Sequence, residues 1–306
     1  MSALANRYLA PKRALFAGIG SSLATQLADA HGTLIAASAA GRADEAVVVL
    51  LLAAAALMYG AGLMRLSRRT TRGRRVIALR AGAFAGGLAM VGAALLPPLD
   101  RWGAELFTLH MIQHELLMLV AAPLLVIGHP LPVFLWAFGA RGRARVTRLS
   151  HAAPVRTAWR AIISPPAAWF AHALVLWIWH FPRFFDAVLR SDGLHELQHL
   201  SFLISALAFW TAMVETRRQE QQGAAILYLF TTTVHTGVLG ALITFASHPW
   251  YAAYLQTPGN WGLSALEDQQ LGGLIMWVPG SLVYVGIALA LLARWIRSTD
   301  SAAAAR

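Results

Sequence analysis

Glu105-Leu-Phe-Thr-Leu-His-Met-Ile-Gln-His-Glu-Leu-Leu-Met-Leu-Val-Ala-Ala-Pro-Leu-Leu-Val-Ile-Gly128 is the stretch whose reading decides the fold. It is apolar and long enough to cross a bilayer as a helix, which takes about 20 residues. Yet it carries His110 and His114. Four residues apart on a helix, the two imidazoles share one face. Ionisable side chains at membrane depth are costly unless they have partners, so the pair marks a functional site, and its partners must come from other helices.

The rest of the chain fits a membrane setting. It has 306 residues, 58% hydrophobic and only 13% charged, with a mean hydropathy of +0.56. Soluble domains are about one quarter charged. The formal net charge of +11 does not point to nucleic acid, because the arginines cluster between apolar runs as cytoplasmic loops do. There is no cysteine. Disulfides, thiolate zinc sites and Cys-ligated iron–sulfur clusters are thereby excluded. Any metal must use His, Met, Asp, Glu or backbone ligands.

Residues 1–30 combine a basic start (Arg7, Lys12, Arg13), a mild apolar run and Ala28-Asp-Ala30. They read as a signal peptide or an uncleaved signal anchor. Seven spans follow, at about 46–63, 79–96, 105–127, 166–181, 194–214, 224–246 and 268–292. Arg65–Arg75, Arg141–Arg160, Glu215–Arg218 and Arg294/Arg297 fall after the odd spans. The outer loops are poor in Arg, and 248–267 has no Lys or Arg. By the positive-inside rule the odd spans run inward. The expected fold is therefore an all-α polytopic transmembrane helix bundle, with seven spans after the N-terminal segment. The bundle covers 45–293, the mature N-terminus lies outside, and 294–306 form a cytoplasmic tail.

That topology sets the depth of the ligand-type residues. His110 and His114 lie roughly 7 and 13 Å below the outer start of the third span. His195 and His199 open the fifth span, His180 ends the fourth, and Asp268 opens the seventh with Met276 roughly 12 Å deeper. His235 falls near mid-depth of the sixth. The two pairs repeat one pattern, His110-Met-Ile-Gln-His114 and His195-Glu-Leu-Gln-His199. Two His pairs on neighbouring helices suit copper or zinc, or a haem held by one His from each. Gln113 and Gln198 are candidates to orient the imidazoles from outside the ligand set. The alternative is an interhelical hydrogen-bond cluster with no metal. Met111 and Met118 offer thioethers that Cu(I) accepts, although packing is the commoner use of a buried Met. His31, His129, His151 and His172 fall outside this layer.

His195-Glu196-Leu-Gln-His199 also matches H-E-x-x-H, in which two His bind zinc and the Glu activates water. The other pair has Met111 where that Glu would stand. Glu196 reads equally well as a carboxylate at a helix N-terminus, where the macrodipole favours it.

Several of these motifs together resemble the CtaG-type family of cytochrome c oxidase assembly factors. They are His110–His114 with Ala121-Ala-Pro-Leu-Leu125 and Gly128, Trp179-His-Phe-Pro182, Leu194–Ser201 with Phe209-Trp210, and Asp268-Gln-Gln through Met276-Trp277. The resemblance covers about residues 45–293. It implies a non-enzymatic membrane chaperone of the bacterial plasma (inner) membrane that takes copper from periplasmic donors to the oxidase catalytic subunit. By position it implies His110, His114, His195, His199, Asp268 and Met276 as motif residues; His180 joins them from its depth. Glu196 is optional to the family pattern. The competing readings are a di-His haem electron-transfer protein and a zinc metalloprotease built on His195, Glu196 and His199.

Overall fold

The structure, a computed structural model, describes residues 43–69, 73–214 and 219–304. The expected signal or anchor at 1–30 and the Glu215–Arg218 loop lie outside the described residues. Packing separates Met1–Leu51 from Leu52–Arg306; of the first unit, residues 43–51 are helical. No strand occurs among the described residues.

The long helices are α1 (Ala43–Ser67), α2 (Arg74–Leu95) and α4 (Phe107–Ile127), with the short α3 (Leu99–Gly103) before α4. Then come α5 (Pro130–Ala137), α6 (Ala140–Ser150), α7 (Ala153–Ile162), α8 (Pro165–His180) and α9 (Pro182–Val188). The last three are α10 (Asp192–Val214), α11 (Gln219–Thr244) and α12 (Ala265–Ala304). Six of these are long and apolar enough to cross a membrane, and the number is seven when the bent pair α7 and α8 counts as one span. The chain is a multi-pass membrane protein.

Contacts fix the relative directions of the helices. Tyr59 stacks on Phe84 at 4.0 Å between ring centroids, and Leu52 lies against Gly92, so α1 and α2 are antiparallel. Phe84 meets Gly128, and Gly87 meets Leu125, which turns α4 against α2. His114 beside Phe202 and Trp210 beside Met118 make α10 parallel to α4. Trp179 with Ser201 and His172 with Ser205 make α8 antiparallel to α10. Gly240 against Trp277 and Gly223 against Trp295 turn α12 against α11. Gly272 at Phe107 and Gly280 at Glu115 align α12 with α4.

The two ends differ in chemistry. At one end Arg65 donates to the carbonyl oxygens of Trp136 and Ala137, and the Arg143 guanidinium sits 4.2 Å from the Trp136 ring centroid. The segments after α1 and α4 thus share a face. At the other end Tyr254 donates to Gly103 O at 2.6 Å, Ala253 N–H donates to Asp186 at 3.2 Å, and Trp261 donates to Glu105 at 2.8 Å. The segments after α2, α8 and α11 therefore meet on the opposite face. This is the alternation expected of seven passes when α7 and α8 count as one.

Two elements depart from the simple spans expected. α8 has 16 residues, a rise of roughly 24 Å against the ~30 Å of a hydrocarbon core. It is joined to α7 through a 60° bend. The cause is Ser164-Pro165-Pro166: a residue before proline is pushed to extended backbone, and Ser164 has φ −63° and ψ 136°. In α4 the turns from Leu116 to Ala121 are π-helical. Ala122 N–H donates to Leu117 O. The next N–H along would belong to Pro123, which has none. Met118 O, left without a helical partner, accepts from Trp210 Nε1 at 2.8 Å. A tryptophan on α10 thus closes the gap that a proline opens in α4.

α4 and α10 form the centre, with 56% and 50% of their central residues buried against 17% for α2. The outward faces carry Phe170, Phe230 and Leu282, each more than half exposed, as lipid-facing positions do.

Candidate metal centre

α4 and α10 enter the bundle side by side and in the same direction, so their two His pairs stand at one level. His110, Gln113 and His114 are buried on α4, and Gln198 and His199 on α10. His195, one turn nearer the end of α10, is half-buried. α8 arrives from the other direction and ends on the buried His180. Five imidazoles from three helices therefore converge. Ring centroids are 4.3 Å apart for His195 and His199, 4.5 Å for His110 and His114, and 5.3 Å for His110 and His195. The steps from His114 are 5.4 Å to His199 and 5.8 Å to His180.

Within this cluster, ligand nitrogens of His110, His195 and His199 all lie within 4.8 Å of one another. Two nitrogens each about 2.0–2.1 Å from a tetrahedral metal stand roughly 3.4 Å apart. Metal binding would draw the three nitrogens together from the spacing they have here. Both ring nitrogens of His114 and Nε2 of His195 and His199 are buried without a hydrogen-bond partner. Buried polar atoms are nearly always paired. Imidazole nitrogens are the donors that a borderline or soft cation takes, and His195 and His199 belong both to the unpaired set and to the close group.

The supporting contacts define the tautomers. Tyr254 O–H donates to Gly103 O at 2.6 Å, and its oxygen lies 3.3 Å from His110 Nδ1. That oxygen has used its only proton, so it accepts from Nδ1–H. Nε2 of His110, which lies 3.1 Å from Gln198 Oε1, then carries the lone pair that a metal would take in place of that contact. Burial first, then Asp268 and Tyr251, raise the Tyr254 pKa well above its ordinary value, so the phenol keeps its proton. At His180, Nδ1–H donates to Leu176 O at 2.8 Å and leaves Nε2 3.4 Å from Met111 Sδ.

The remaining expected site residues are placed differently. The Asp268 carboxylate, fully buried, accepts from Phe107 N–H at 2.7 Å and Thr108 N–H at 3.0 Å. It caps from α12 the helix that carries His110 and His114. Met276 is buried in the same apolar core as Met111 and Met118. Gln113 donates to Ala94 O at 2.7 Å and Asp100 at 3.2 Å. It fastens α2 and α3 to α4 and does not orient an imidazole. His235 stands apart from the layer, edge-on to Trp169 at 5.7 Å. His172, on the cluster-facing side of α8 but deeper, pairs with Ser205 at 3.1 Å and Tyr284 at 3.5 Å. Glu196 is exposed while its neighbours His195, Gln198 and His199 turn inward.

One participant is absent from the sequence reading, and one buried carboxylate beside the site is too. Tyr254 lies in a loop far from any His in the chain, and nothing local marks it. Glu115 follows His114 directly; its Oε2 is buried without a partner in the space that Gly280 leaves open.

The model of the cytochrome c oxidase caa3 assembly factor family (Caa3_CtaG) matches residues 57–298. The chain belongs to that family. Every helix of the histidine cluster lies inside the matched region, so the Caa3_CtaG domain includes the whole site. Among curated proteins, an uncharacterized protein of Mycobacterium leprae is 28% identical over 208 residues, covering 64% of this chain and 31% of that protein. One of Mycobacterium bovis is 27% identical over 207 residues, with the same coverage. The chain thus spans about a third of the length of the curated relatives it matches. No solved structure matches.

Proposed function

We propose that this assembly factor binds Cu(I) at the histidine cluster and passes it to the catalytic subunit of cytochrome c oxidase. The observation that carries the proposal is the set of buried, unpaired nitrogens of His114, His195 and His199 beside His110. His110, His195 and His199 are the first holders, with His114 and His180 in contact with them. Asp268 acts as the cap that sets the register of α4, and Met276 as packing beneath the cluster. The chemistry is ligand exchange: imidazole replaces imidazole on the ion, and no covalent bond of a substrate is broken. The Arg-bearing end faces the cytoplasm, which puts the cluster in the outer half of the plasma membrane, within reach of periplasmic copper donors.

The rival readings have less support. A zinc protease would need Glu196 beside the metal-bound water, and Glu196 faces away. A di-His haem would need room for a porphyrin between imidazoles that pack 4.3–5.8 Å apart.

The test compares His114→Ala, His199→Ala and Glu196→Gln for protein level, copper per protein and oxidase activity. Both His variants should reach the membrane in normal amount, lose at least about tenfold in copper affinity, and leave the oxidase short of catalytic copper. Glu196→Gln should match the parent in all three measurements. Normal copper binding and oxidase activity in both His variants would sink the copper reading.

A further inference from the structure

The five imidazoles form a chain of contacts with two ends at a surface. At one end the half-buried His195 opens α10, next to the loops of the histidine-bearing face. At the other, the buried His180 forms part of the wall of a groove of about 430 Å³. That groove lies where the ends of α8 and α11 meet the segment after α11. Its other walls include Trp177, Phe181, Leu242, His248 and Trp250. Trp177, Phe181 and Leu242 are 39%, 59% and 49% exposed. Such apolar walls on the flank of a membrane bundle face lipid, not water. Two histidines in an otherwise apolar groove are not explained by lipid contact.

The two ends differ in ligand character. Near His195 the nitrogens of three imidazoles gather. At His180 the free Nε2 faces the Met111 thioether, and a nitrogen–thioether pair suits Cu(I) better than divalent ions. His248, exposed at the rim, supplies a further imidazole beyond that pair. A bound ion can therefore step from His195 and His199 through His114 to His180 by exchanging one neutral ligand for the next, with no change in oxidation state.

We infer that the groove at His180 and His248 is the exit port of the cluster, and that its occupant is a membrane-embedded segment of the subunit that receives the ion. The inference rests on the copper reading above and adds a direction: entry from the aqueous face at His195, exit sideways into the bilayer. The receiving segment is apolar, to match Trp177, Phe181 and Leu242, and carries its own imidazole or thioether ligands.

Two measurements test it. In the first, the full chain in phospholipid nanodiscs is loaded with Cu(I) and stripped by a water-soluble or a lipid-soluble Cu(I) chelator. Leu242→Trp, which fills the groove at the His180 end and lies away from His195, should slow the lipid-soluble chelator about tenfold and leave the water-soluble one unchanged. Equal effects on both chelators, or no effect on either, would overturn the port. In the second, p-benzoylphenylalanine replaces Leu242 or, as a control on another lipid-facing helix, Leu282. In membranes Leu242 should crosslink to the oxidase catalytic subunit and Leu282 should not. No preference for Leu242 would also overturn the port. If the parent protein binds no copper, the copper reading fails, and the crosslink alone decides whether the groove receives the subunit.

Discussion

Asp268 shows how one residue can serve a site without entering it. The first N–H groups of a helix have no partner within it, and in α4 two of them find one carboxylate on α12. Asp268→Ala should therefore destabilise the protein by about 1–2 kcal/mol, as loss of a good N-cap does. Melting of the detergent-solubilised protein should move down, while copper per folded protein stays near the parent value. Loss of copper at unchanged stability would instead make Asp268 a ligand. Tyr254 works in the same indirect way, through the tautomer of His110.

At the scale of elements, glycine decides how closely the helices approach. A Cβ on Gly240 would lie 2.8 Å from Trp277 Cβ and 3.0 Å from Gly273 O. Small residues at such crossings let backbones meet, the main source of packing between helices in lipid. Gly240→Val should force α11 and α12 apart and lower stability by about 1–3 kcal/mol, as overpacking does. At Gly82 in α2 an added methyl group would have no neighbour within 4 Å. Gly82→Ala should be neutral or raise stability by up to about 1 kcal/mol through helix propensity. Thermal melts of the two variants should move in opposite directions or differ clearly in size; equal losses would refute the close-packing account of α11 and α12.

For the whole molecule, the separation of an arginine end from a histidine end is the organising feature. Arg65, Arg69 and Arg143 gather around Trp136 at one end, and the loops around Tyr254 close the other. The orientation we propose, with the arginine end in the cytoplasm, predicts that a reporter active only there is active when fused after Arg148 and silent after Pro258. Activity at Pro258 would invert the bundle or remove a pass, and would place the histidine cluster away from periplasmic donors.

Much of this was legible in the sequence because its causes are local. Apolar length names the spans, arginine clusters set their alternation, and i, i+4 spacing puts His110 with His114 and His195 with His199 on single faces. Equal depth on parallel helices then brings the pairs to one level. Contacts between helices distant in the chain were not legible. Gln113 and Gln198 occupy the same place in the repeated pattern, yet Gln198 meets His110 and Gln113 meets α2 and α3, because different neighbours cover the two helices. Met111 carried no stronger signal than Met118, yet of the two it is Met111 that touches an imidazole in the cluster. The bend before α8 and the π turn in α4 each follow from a proline that the sequence displays. What completes them, the indole of Trp210 on Met118 O, is chosen by the packing of α10 on α4. The sequence by itself determined which residues share a face and a depth; only the tertiary structure decided which atoms share a hydrogen bond, because rotation of each helix about its axis is set by its neighbours.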